Sequence, residues 1–252
     1  MNDPVPAAEQ GVLILGASGG VGQVLARHYA DAGVATHLAG RDVAALASEL
    51  GAGHSTVDIH DGDTFAAAVT SAAESLPALT GVVNCIGSVL LKPAHLISDD
   101  DFEEVLRINL WSSFYVVREA AKALRKSGGS IVLCSTAAAQ IGLANHEGIA
   151  AAKAGIDGLV RSAAATYGPR GVRVNSVAPG LVKSEMTRRI WENEVSANAS
   201  QEMHVLGRLG EPADIAGAIA FLLDPAHSWI TGQTLGVDGG LGGVVNRPRT
   251  KA

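Results

Sequence analysis

The stretch Gly16-Ala-Ser-Gly-Gly-Val-Gly22 stands between the apolar run Val12-Leu-Ile-Leu15 and a segment of helical period, Val21 to Ala32. That setting decides the fold. Glycine patterns are common, but one that follows a strand and opens a helix gives each glycine a task. Gly16 permits a tight turn, and Gly20 and Gly22 let backbone and helix approach closely. The helix N-terminus then offers amide donors and the positive end of its dipole to a pyrophosphate.

Working outward, short apolar runs alternate with longer, alanine-rich segments. The runs are Ala35-Thr-His-Leu-Ala39, Gly81-Val-Val-Asn84, Ser130-Ile-Val-Leu-Cys134, Val172-Arg-Val-Asn175 and Thr234-Leu-Gly-Val237. Between them, helices are expected over Val43 to Leu50, Thr64 to Leu76, Asp99 to Lys126 and Gly148 to Tyr167. Such alternation predicts repeated βαβ units around a parallel sheet. Ser98-Asp-Asp-Asp101 supplies a cap and an acidic first turn, and Gly33 and Gly168-Pro169 supply stops. No repeat or linker marks a second unit. The chain therefore predicts a single doubly wound α/β domain over 1–252, its core at about 10–241, with a central parallel sheet of about seven strands and helices on both faces. The irregular segment 183–207 holds Met186, Ile190, Trp191, Met203 and Leu206 among polar residues and is expected to form a substrate lid rather than a surface helix pair.

Composition narrows the function. Of 252 residues, 47% are hydrophobic, 17% charged and 4% aromatic, so the core must be thin layers of small aliphatic side chains. The net charge of −6 and the scatter of basic residues argue against nucleic-acid binding. The basic tail Arg247-Pro-Arg249-Thr-Lys251 is expected to be a solvated terminus. Cys85 and Cys134 lie in apolar runs without metal-ligand spacing and are expected to be reduced, buried small hydrophobes. The eight histidines, His54 and His60 included, predict no metal site, and no Ser-His-Asp set has the context of a hydrolase. No stretch approaches ~18 apolar residues and Met1 to Gln10 is not a leader, so no membrane contact and a cytoplasmic location are expected.

The glycine loop resembles the Gly-x-x-x-Gly-x-Gly pattern of the short-chain dehydrogenases/reductases, and further matches follow in order over residues 10–241. Val57-Asp58-Ile59 resembles the adenine-contacting segment, and Asn84-Cys-Ile-Gly87 the family's Asn-Asn-Ala-Gly strand end. Asn109 resembles the asparagine of the long central helix. Val177-Ala-Pro-Gly180-Leu-Val182-Lys-Ser184 resembles the segment that holds the nicotinamide carboxamide, and Ile230 to Gly240 the last strand and its turn. The resemblance implies a nicotinamide cofactor held by Gly16, Ser18, Gly19, Val21, Gly22, Asp58, Ile59, Asn84, Gly87, Lys153, Pro179, Gly180, Val182 and Ser184. It also implies a homo-oligomer, tetramer or dimer, built through the long helices and the C-terminal strand region. At the second strand end, Leu38-Ala-Gly40-Arg41-Asp42 has glycine where an acid for a ribose 2′-hydroxyl is usual. Arg41 can neutralise a 2′-phosphate, so NADP(H) is favoured over NAD(H). Alternatively Asp42 pairs with Arg41 or itself faces the ribose.

In that family a tyrosine handles the substrate proton, a lysine four residues later lowers its pKa and holds the ribose, and a serine steadies the substrate oxygen. Residues i and i+4 share a helix face, which brings ammonium and phenol together. Here Lys153 and Asn109 match, Thr136 falls at the serine position with Ser135 beside it, and Ile149 falls at the tyrosine position. Thr136 keeps a hydroxyl, whereas Ile149 can neither give a proton nor carry charge. Three readings follow. In one, another group supplies the proton, His146 first and Glu147 second. In another, Lys153, an ordered water and Thr136 suffice for slow chemistry or for an activated acceptor such as an iminium. In the last, the chain is a nicotinamide-binding module or partner subunit without chemistry. The expected function is hydride transfer between a nicotinamide and a small carbonyl, imine or alcohol, in a pocket lined by Val89-Leu-Leu91, Leu143 and the Met186 to Met203 segment.

Overall fold

The computed structural model describes residues 6–245; the basic tail at 247–251 lies outside the described residues. Among the described residues seven strands form one sheet in the order β3-β2-β1-β4-β5-β6-β7, with every neighbouring pair parallel. They are β1 Gly11–Leu15, β2 Ala35–Gly40, β3 Gly53–Thr56, β4 Leu79–Asn84, β5 Gly129–Cys134, β6 Val172–Pro179 and β7 Thr234–Val237. The helices are α1 Gly20–Asp31, α2 Ala44–Leu50, α3 Gly62–Ser75, α4 Asp99–Leu106, α5 Ser112–Leu124, α6 Glu147–Tyr167, α7 Arg188–Trp191, α8 Glu194–Met203 and α9 Pro212–Leu223.

The strand sequences explain the layers. In β1, Val12 and Ile14 join Leu25 of α1 and Ile215 and Ile219 of α9 in one core. Leu13 and Leu15 join Phe65 of α3, Val116 of α5 and Ile156 of α6 in the other. Strands buried on both faces read as continuous apolar runs, which is why the sequence signals them. Strand order reverses between β1 and β4, and a crevice opens there at the carboxyl ends of the strands.

Two elements escape the sequence pattern. Strand β3 reads Gly-His-Ser-Thr and pairs only with β2, so as an exposed edge it carries no apolar run. Helix α9 runs apolar almost throughout, which hides its helical period. The helix expected over Asp99 to Lys126 is divided by a π-helical turn, Arg107–Trp111. Asn109 accounts for the turn: its Nδ2 donates to the Val105 carbonyl at 2.9 Å, the acceptor its own amide would take in an α-helix. Ser98 caps α4 by accepting from the Asp101 amide at 3.1 Å, as the sequence predicts, and Asp61 caps α3 likewise.

At the start of α9, Asp214 accepts from the Glu211 amide at 2.8 Å and from both terminal nitrogens of Arg208 at 2.7 and 2.8 Å. Arg208 first, then the amide, holds this carboxyl down at about 2. A depressed carboxyl stabilises the fold above its unfolded value of about 3.9 and loses that contribution as pH falls through its folded value. Asp214→Asn is therefore expected to cost about 1 kcal/mol at neutral pH, allowing for its partial exposure. Melting curves should show the gap from wild type closing as pH drops from about 4 towards about 2; a gap that persists would contradict the assignment.

Candidate active site

The cofactor-facing end begins at the glycine turn. Gly16 has φ of 77°, and a Cβ there would lie 2.7 Å from the Cys85 carbonyl carbon and the Ile86 nitrogen, so the turn packs directly on the end of β4. A Cβ on Gly22 would run into the Gly16 carbonyl oxygen and sit 2.8 Å from Ala17 Cα. Gly19 precedes α1 as its cap and Val21, in the first turn, lines the cleft. First-turn amides without intrahelical partners suit a phosphate. Ser18 is exposed beside Gly40: a Cβ on Gly40 would come within 3.8 Å of the Ser18 hydroxyl. Arg41 and Asp42 are both exposed, and no ion pair joins them. Asp58 and Ile59 follow β3; Asp58 is exposed and accepts from the His60 amide at 2.9 Å.

Deeper in, a cleft of about 270 Å³ spans the carboxyl ends of β4, β5 and β6. It gathers Gly87, Ser135, Thr136, His146, Ile149, Lys153, Pro179, Gly180, Val182 and Ser184, which sequence alone scatters over about a hundred positions. Lys153 is buried on α6 and donates to the Cys134 carbonyl at 2.7 Å; burial lowers its pKa. A Cβ on Gly87 would lie 3.5 Å from Lys153 Nζ and 3.3 Å from Asn109 Oδ1, so the glycine leaves that approach open. Thr136 Oγ1 accepts from the Ala138 amide at 3.3 Å and lies 3.5 Å from the Pro179 carbonyl. Ser135 differs from its neighbour: buried, it donates to the Lys153 backbone carbonyl at 3.4 Å and so braces α6 against β5.

His146 is half-buried at the start of α6, where its Nδ1 donates to the Ala144 carbonyl at 2.8 Å. That bond fixes the proton on Nδ1 in the neutral ring and leaves Nε2 free. Glu147 is exposed and lies outside the cleft lining. Ile149, four residues before Lys153, is buried on the cleft wall and packs with Val105 and Ala152. Two asparagines act from behind. Asn84 donates to the hydroxyls of Ser112 and Ser113 at 3.2 and 3.1 Å and accepts from the Ile86 amide, while Asn109 holds the Ser88 amide and hydroxyl at 3.1 and 3.0 Å. Both fix the chain after β4 and neither lines the cleft.

Segment 183–207 folds as α7 and α8 and lends Met186, Ile190 and Met203 to the cleft. One residue the sequence did not single out is His204. It is buried, donates from Nδ1 to the Ser200 carbonyl at 2.6 Å and accepts on Nε2 from the Leu181 amide at 3.2 Å, pinning the end of α8 to the Pro179–Val182 turn. The two cysteines also depart from expectation: they are free thiols, as predicted, but only partly buried, and both border the cleft. Among the described residues no cluster of metal-binding side chains occurs, and no helix is long and apolar enough to cross a membrane.

A doubly wound sheet with a glycine turn on its first helix and a lysine-floored cleft across its strand ends defines an oxidoreductase of the dinucleotide-fold class. Comparisons agree. Residues 16–242 match the family model described as enoyl-(acyl carrier protein) reductase. The chain is 34% identical to galactitol 2-dehydrogenase (L-tagatose-forming) of Cereibacter sphaeroides, over 90% of this chain and 92% of the relative. It is 32% identical to D-threitol dehydrogenase of Mycolicibacterium smegmatis, over 90% and 91%. A solved short-chain type dehydrogenase/reductase from Mycobacterium ulcerans superposes with a TM-score of 0.87 at 30% identity, covering 92% of this chain and 89% of that one. The chain belongs to the short-chain dehydrogenase/reductase family.

Proposed function

We propose that this protein transfers hydride between NADP(H) and a small, uncharged carbonyl, imine or alcohol, with His146 handling the proton where Ile149 replaces the family's tyrosine. The observation that carries the reading is the make-up of the cleft. His146, Lys153 and His204 are its titratable nitrogen bases, and both ring nitrogens of His204 are already bonded. Its remaining walls are largely apolar, through Val89, Leu91, Leu143, Ile149, Met186 and Met203. Among the described residues, Lys153 is the cleft's Lys or Arg that could hold a substrate carboxylate or phosphate. That favours an uncharged substrate.

The residues present fit a dinucleotide. Gly16 and Gly22 admit no side chain, and Gly87 keeps the approach to Lys153 clear. The first turn of α1 would take the pyrophosphate, Lys153 the ribose and Ser184 the carboxamide; when bound, the nicotinamide supplies or accepts the hydride. Thr136 would hold the substrate oxygen, and His146 Nε2 would exchange its proton. Asn84, Asn109 and Ser135 position these groups through the contacts described above.

NADP over NAD rests on Gly40, Ser18 and Arg41. Without a side chain at 40, the space beside Ser18 is free of any acid from that position, and among the described residues no ion pair joins Arg41 to a carboxylate. A charge-assisted pair contributes about 1.5–3 kcal/mol. Arg41→Ala is thus expected to weaken NADPH binding roughly 10- to 100-fold and leave NADH binding unchanged. Equal losses for both cofactors, measured by nicotinamide fluorescence, would refute the preference.

The half-exposed Trp111 and Phe114 and the exposed Trp229 support a homo-oligomer assembled through the central helices and the C-terminal region. A cytoplasmic location is part of this proposal; among the described residues no helix is long and apolar enough to cross a membrane.

The deciding experiment follows NADPH binding and oxidation across aldehydes, ketones and imines on wild type and Ile149→Tyr. Slow turnover by wild type is expected. Binding without any turnover, with turnover appearing only in Ile149→Tyr, would convert the reading to a binding module; failure to bind nicotinamide would end it.

A further inference from the structure

The register of the sheet brings Cys85 and Cys134 together. Strands β4 and β5 pair Asn84 with Leu133, and the next residue on each strand is a cysteine. Both pack against the same apolar core and both border the cleft, where each thiol and the Lys153 ammonium influence one another's ionisation. Neighbouring strands lie about 4.8 Å apart, inside the roughly 4.4–6.8 Å that Cα atoms span in a disulfide.

We propose that Cys85 and Cys134 form a two-thiol redox site at the floor of the cleft, oxidised to a disulfide by a small hydroperoxide that enters it. The two sulfurs are not equivalent. The neighbouring Cys85 thiol, aided by the Lys153 charge, draws the Cys134 thiol below its ordinary pKa, whereas the proximity of Cys134 and burial push Cys85 well above its own. Cys134 is the attacking sulfur and Cys85 the resolving one. In the first step the Cys134 thiolate bonds to the outer oxygen of the hydroperoxide, the O–O bond breaks, and the released alkoxide or hydroxide takes a proton. Cys134 is left as a sulfenic acid. Cys85 then attacks that sulfur, the S–O bond breaks, and the departing hydroxide leaves as water with the Cys85 proton. Two thiols and one hydroperoxide thereby give one disulfide, one alcohol or water, and one further water. The two electrons pass from sulfur to the peroxide bond.

The site does not depend on the cofactor assignment. Reduced wild-type protein, free of nicotinamide, is treated with one equivalent of hydrogen peroxide, and its peptides are mapped by mass spectrometry. The expected product is a cross-linked peptide joining Cys85 to Cys134 that dithiothreitol separates. Cys85→Ala should stop at the sulfenic acid, trapped on Cys134 by dimedone. Cys134→Ala should react at least ~10-fold more slowly, because the remaining thiol is the less ionised one. Should either variant misfold, the wild-type map alone decides. Absence of the cross-link, or dimedone labelling of Cys85 before Cys134, overturns the proposal.

Discussion

Changing His146 to alanine is expected to lower kcat by about 10²–10⁴-fold, or roughly 3–5 kcal/mol of barrier, with NADPH affinity unchanged. The size follows from the absence of a substitute. Lys153 is committed to the Cys134 carbonyl and, on the proposed reading, to the ribose; His204 has both nitrogens bonded; Glu147 lies outside the cleft. Removing His146 therefore removes, among the described residues, the titratable ring in the cleft that keeps an unbonded nitrogen. Cofactor affinity is the control, because His146 touches none of the glycine turn. Placing tyrosine at 149 in the same variant should return much of the lost rate, since a phenol one turn before Lys153 can use that ammonium. If single-turnover rates are the same with and without His146, the proton travels through Lys153, water and Thr136 instead.

The second large effect is structural. Gly22→Ala should destabilise the protein by about 3 kcal/mol and abolish measurable dinucleotide binding. A Cβ at this position meets the Gly16 carbonyl oxygen and the Ala17 backbone, and neither can rotate away as a side-chain end would. The turn must open, and the first-turn amides of α1 lose their aim. For a domain of this size about 3 kcal/mol corresponds to a fall in Tm of roughly 6–12 °C. Gly33→Ala is the matched control: a Cβ there meets nothing within 4 Å, although its φ of 70° carries a smaller conformational penalty. Equal Tm losses in the two variants would show that packing at Gly22 is not the cause.

What the sequence reveals tracks what is local. The alternation of β1, with Val12 and Ile14 to one core and Leu13 and Leu15 to the other, is audible as an unbroken apolar run. The Ser98 cap and the glycine turn are readable because each is complete within a few residues. Strand β3 and helix α9 are not, one too polar and the other too uniformly apolar to show a period. In the site, His146 and Lys153 are legible as two points on one helix, and Thr136 by its spacing from them. His204 reaches Leu181 across 23 positions through the fold, and the adjacency of Cys85 and Cys134 arises from strand register alone. Asn84 and Ser135 carry contacts that no spacing announces: besides the roles the resemblance implies, their polar atoms are tied into the scaffold.

Ile149 belongs with Val105 and Ala152 to a small apolar cluster, so the same side chain that closes the cleft wall also cements α4 to α6. On the proposed reading, chemistry and mechanical integrity therefore meet at one position. A polar residue placed there to raise the rate removes apolar packing from that joint, and the joint carries both His146 and Lys153 on its α6 side. Faster variants selected at 149 should melt earlier, so a gain in speed by this route draws on reserve stability elsewhere in the sheet.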